Sequence, residues 1–155
     1  WLRGRIRPPR EGPLEPVGGG TDVRAGLDRL NAEHGGAGVE ARIGWGAGRG
    51  RTRRRSIKTG VYLHDARVIR IHPALDRAEV PEFYVAAVVF HEMLHQAVPG
   101  DERGRRRGVP GTEFRRRERA YPGHARAREW ERRNLDLLLG RTHRTGAARG
   151  NMPGG

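Results

Sequence analysis

The stretch FYVAAVVFHEMLH, residues 83–95, decides how this chain is read. Its first eight residues, Phe83 to Phe90, are apolar nearly all round, the composition of a helix buried through the middle of a domain. Val80 and Pro81 open it, with Pro81 suited to a first helical turn and Glu82 favourable near the positive end of the dipole. Pro99 and Gly100 are expected to close it. At the end of this greasy segment stand His91, Glu92 and His95. Buried ionisable groups are costly unless paired or bound to metal, so the triplet needs a reason. Residues four apart lie one turn up on the same helical face, and both imidazoles can then reach one metal ion at about 2.0–2.1 Å. Glu92, beside the first ligand, is placed to act as general base on a metal-activated water. This HExxH spacing is the pattern of zinc-dependent hydrolases. The competing reading is a solvated helix end with two surface histidines.

Composition bounds the rest. The 155 residues suit one domain, while an apolar share of 35% with 24 Gly and 10 Pro points to extensive irregular segments at the ends. Cysteine is absent, so thiolate sites are excluded and any Zn2+ must be held by His and carboxylate. With no 18-residue apolar run and no leader pattern, a cytoplasmic protein without a membrane partner is expected. The formal net charge of +13 favours polyanions, and two arginine clusters are dense: Arg51, Arg53, Arg54 and Arg55, then Arg103, Arg105, Arg106 and Arg107. Non-specific nucleic-acid contact through these loops competes with plain solvated charge. No aromatic-interleaved platform supports base reading.

Along the chain, residues 1–20 read as a disordered arm rich in Pro, Gly and Arg. Thr21 as N-cap starts a helix in which Val23, Leu27 and Leu30 keep helical spacing, ended by Gly35 and Gly36. Strand-like pieces follow at 41–45, 56–63 and 68–71, the last two joined by a hairpin at His64 and Asp65. Beyond the motif helix, a loop over 100–111 leads to a helix from Thr112, a break at Pro122 and Gly123, and a last helix whose Trp130, Leu135, Leu138 and Leu139 return to the core. Gly140 closes it, and 141–155 are expected to be a disordered tail. The order gives an α+β single domain over 21–140.

In order and spacing, LDRLNAEH, RIGWG, GVY, VIRIHPALD and VPEFY running into VVFHEMLH resemble the bacterial SprT-like zinc metallopeptidase domains. The likeness covers about residues 22–139 and includes Glu113-Phe114, ERAYP and the Trp130-Glu131 helix. It implies a zincin-like fold of minigluzincin type, zinc on His91 and His95, Glu92 as general base, and hydrolysis of a protein or peptide substrate. Some relatives act on proteins attached to DNA. The chain departs from the family where a third histidine usually lies four residues before the aromatic at Phe114, because that position is Pro110. Catalytic zinc normally has three protein ligands and a water. Glu113, one turn beyond position 110, is the first substitute, with Glu118 and His124 after it; a dipole-stabilised helix-start carboxylate is the other reading of Glu113. A second departure is Gly35, where relatives tend to carry an aromatic.

Of the other histidines, His72 at a strand end and His64 in a turn read as structural or surface residues, His34 near a helix end can complement the dipole when protonated, and His143 belongs to the tail. Tyr62 and Tyr84 could donate to an oxyanion, though core packing suits both. Substrate is expected along an exposed strand edge, 68–71 first, by β-augmentation. The alternative function is a catalytically impaired, basic nucleic-acid- or protein-binding module whose HExxH is a remnant.

Overall fold

The computed structural model describes residues 14–34, 38–46, 57–98 and 111–140. Helix α1, Val23–His34, buries the stripe Val23, Leu27 and Leu30. Its N-cap is Asp22 and not Thr21, because the Asp22 carboxylate accepts the amides of Arg24 at 2.9 Å and Ala25 at 3.0 Å, two donors otherwise left without partners.

Three strands follow: β1 (Arg42–Trp45), β2 (Gly60–Leu63) and β3 (Val68–Ile71). They form one sheet in the order β1-β3-β2, with β1 parallel and β2 antiparallel to β3. The strand expected to offer a substrate edge, 68–71, is therefore the central one and is paired on both sides. Val68, Ile69 and Ile71 are all buried, as a strand covered on both faces requires. Of the strand expected over 56–63, the described residues 57–59 carry none and β2 starts at Gly60, because Pro73 has no amide to extend the ladder past the bond from His72 N–H to the Thr59 carbonyl at 2.8 Å.

Helix α2, Glu82–Ala97, packs on α1, β2 and β3 and buries Tyr84, Val85, Val88, Val89, Phe90, Met93 and Leu94. Pro81 serves as its N-cap in an extended conformation, one position before the expected first turn. Past position 110 come α3 (Thr112–Ala120), α4 (His124–Arg133) and α5 (Leu135–Leu138). The last expected helix is split at Asn134, whose amide side chain donates to the Trp130 carbonyl at 2.8 Å and so competes with the helical ladder.

Residues 14–20, expected in a disordered arm, are instead strapped to the domain. Trp45 N–H donates to the Glu15 carbonyl at 2.9 Å, adding a bridge on the outer side of β1, and the Gly19 and Gly20 amides bind the Asp76 carboxylate at 2.8 and 3.3 Å. The expectations for 1–13, Gly35, Gly36, both arginine clusters, Pro99, Gly100, Pro110, His143 and the tail fall outside the described residues. No helix among the described residues is long and apolar enough to cross a membrane. The α+β class holds.

Ile69 has no exposed surface at the centre of the sheet. Ile69→Ala should cost about 2–5 kcal/mol in urea unfolding, and a loss below about 1 kcal/mol would contradict this packing.

Candidate functional site

The last two turns of α2 turn one face to a cavity of about 610 Å³ lined by α2, the β2 segment, the end of α3 and α4. His91 and His95 stand side by side there with ring centroids 5.1 Å apart. Phe114, buried on α3, packs against both rings at 5.0 and 4.7 Å, which restricts their rotation. Beside them Glu92 is only 4% exposed, with Oε2 3.9 Å from His95 Nε2. Burial pushes the Glu92 carboxyl above its usual range, against the opposing pull of the His91 and Lys58 charges and the Tyr62 amide. A carboxylate so shifted is closer to the range that suits a general base.

Of the three further candidates, Glu118 stands beside the histidines. Its Oε1 lies 2.6 Å from His91 Nδ1, a charge-assisted distance. Burial opposes the charge on both partners, yet the shared hydrogen bond and nearby charges outweigh it, so His91 is raised and Glu118 lowered. With Nδ1 engaged, Nε2 is the His91 nitrogen left to bind a metal; a carboxylate orienting a ligand histidine in this way is a recurrent outer-shell device. Glu118 thus stands where it orients His91.

Glu113 does not line the cavity. Its carboxylate is held by Arg116 at 2.8 Å and Arg117 at 2.7 Å, and these guanidiniums, Arg116 first, bring its pKa down to about 2. His124, the first residue of α4, does line the cavity, and its charge helps lower Glu118. Among the described residues no group of three His, Cys, Asp or Glu side chains stands ready to hold a metal ion. The donors present fit two protein positions of a catalytic zinc site, together with its base.

No family model, curated protein or solved structure matches this chain.

The cavity also holds residues that motif reading missed. Arg128 and Glu131 share the His124 face of α4 at helical spacing, and that spacing was the available signal. Tyr84 is buried, donates its hydroxyl to Glu131 at 2.9 Å and lies on Trp130 with centroids 4.6 Å apart; burial, then the Glu131 charge, raises its pKa strongly. Tyr62 accepts from Gln96 at 3.0 Å and meets His64 edge-on at 4.7 Å. Both tyrosines are packing residues at the cavity wall. His72 accepts the Ala74 amide at 3.0 Å and caps a short 3-10 turn, and His34 packs edge-on against Phe90 and Tyr121. These are structural roles, while His64 also borders the cavity.

The His91–Glu118 pair makes a pH-dependent prediction for chelator-treated protein. A raised histidine stabilises fully below its unfolded pKa and loses that contribution as pH rises through its folded one; a lowered glutamate stabilises above its unfolded pKa and loses it on acidification. Both contributions are complete between the ordinary values of 4.5 and 6.5. Glu118→Gln should therefore cost about 1 kcal/mol near pH 5.5, the modest size reflecting partial exposure, and much less near pH 9. An equal cost at both pH values in urea titrations would refute the pairing.

Proposed function

We propose that the chain is a zinc-dependent metallopeptidase of zincin-like fold, in which His91 and His95 bind the metal and Glu92 is the general base. The observation that carries this is the burial of Glu92 beside two imidazoles that stand together on α2, with Nδ1 of His91 tied to Glu118. The resemblance to SprT-like domains supports it, since a helix, three strands, the motif helix and further helices come in the corresponding order. Bound zinc would supply a Lewis acid that polarises a carbonyl and eases deprotonation of water.

The chain's own residues do the rest. Glu92 takes the proton of the attacking water and delivers it to the leaving amine. Glu118 fixes the tautomer and orientation of His91, and Phe114 keeps water from one side of both rings. Because His72 N–H bonds Thr59, antiparallel alternation turns the backbone groups of Gly60 and Tyr62 away from β3. A peptide substrate lying along this edge of β2 would pass the site, which moves the proposed β-augmentation from 68–71 to 60–63. The third ligand position of the family is Pro110 here, and of Glu113, Glu118 and His124 it is His124 that lines the cavity without being tied to His91.

The absence of a third grouped donor among the described residues favours a second reading, a basic nucleic-acid- or protein-binding module with a remnant site. Casein hydrolysis by zinc-supplemented protein separates the two. Glu92→Gln should retain zinc and lose about 10²-fold or more of the activity, as a missing general base does. Undiminished activity would remove Glu92 from the chemistry, and a zinc-loaded but inert wild type would favour the binding module.

A further inference from the structure

Gly60 opens β2 opposite Ile71, and a paired strand position without a side chain calls for a reason. At Gly60 the backbone is not that reason, because its φ is not among the positive values, which among the described glycines belong to Gly38 and Gly140. The reason is space. A Cβ at position 60 would lie 2.9 Å from Glu92 Oε1, 3.0 Å from Glu92 Cγ and 3.1 Å from Val88 Cγ1. Gly60 is itself buried, so the crowding cannot be relieved toward solvent.

We propose that Gly60 is a positioning residue for the general base: β2 approaches α2 so closely that the Glu92 carboxylate fills the place of the missing side chain, and the strand backbone sets where that carboxylate points. The alternation of the β2–β3 ladder adds to this, since it frees the Tyr62 amide, two residues along, to face away from β3. That amide pulls the Glu92 carboxyl down, against the effect of burial. Glu92 is thus held on one side by a gap only glycine leaves and on the other by a backbone donor. The inference rests on the reading of Glu92 as base.

The experiment is a cycle of Gly60→Ala with Glu92→Asp. The added methyl meets the movable end of a side chain, while Glu92 Cγ and Val88 need give only slightly, so Gly60→Ala should fold and keep its zinc affinity. Its kcat on casein should fall about tenfold or more with KM within about twofold, as expected of a misplaced catalytic group. In the Glu92→Asp background, where the carboxylate is one methylene shorter, Gly60→Ala should cost less than about twofold, and this non-additivity marks action through Glu92. Multiplying losses would overturn the proposal.

A second readout needs no activity. In metal-free protein the amide proton resonance of Tyr62 should move upfield in both Gly60→Ala and Glu92→Gln; an unmoved resonance in Gly60→Ala would also overturn the proposal. If wild type fails to cleave casein, the peptidase reading fails while the amide shift still decides the positioning. If Gly60→Ala does not fold, the double variant with Glu92→Asp should, and failure of both would locate the crowding elsewhere.

Discussion

A carboxylate 4% exposed at the end of an apolar helix is the constraint around which this molecule is arranged. Glu92 has no solvent to rely on, so its charge is balanced by what packs around it: imidazoles on its own helix, the Lys58 charge and the Tyr62 amide. Keeping those groups in place needs α2 pressed against the sheet, which the apolar faces of Val85, Val88 and Val89 and of Ile69 and Ile71 provide. Each fully buried side chain of this size contributes about 1.5–3 kcal/mol to that packing. Stability and site geometry share one set of contacts.

From Glu92 outward, charge alternates through the cavity. His91 lies next to Glu92, Glu118 bonds His91, and the His124 and Arg128 charges stabilise Glu118 in turn. At the far end Glu131 accepts from Tyr84, a bond between α4 and α2 at the cavity wall. Such a chain suits a site that must orient two imidazoles without taking up the nitrogens needed for a metal. It also explains why α3 and α4, so rich in arginine, keep their acidic residues where they are: Glu118 and Glu131 face the cavity, while Glu113 and Glu129 bind arginines of their own helices.

Much of this was legible in the sequence where a local pattern carries the signal. The spacing of Val23, Leu27 and Leu30 shows the buried face of α1, and the continuous apolar run shows the burial of α2. Strand order was not legible. VIRI at 68–71 is buried on both faces, as a central strand should be, but no local pattern states which strand its hairpin inserts beside. Distance from position 110 puts Glu113 before Glu118, but the helical face brings Glu118 to the histidines. Phe114 and Glu118 are four apart and both meet the histidines, and Glu113 is turned toward Arg116 and Arg117. Gly60 carried no visible signal, because its role is a distance to a residue 32 positions away, at Glu92.

The central claim is that the two motif imidazoles bind one metal ion together. X-ray absorption at the zinc edge, on protein given one equivalent of zinc, tests it most directly. The account predicts scattering from two imidazole nitrogens at about 2.0–2.1 Å, lost in the His91→Ala/His95→Ala variant. A shell of oxygen alone, or a spectrum unchanged by that double substitution, would contradict it.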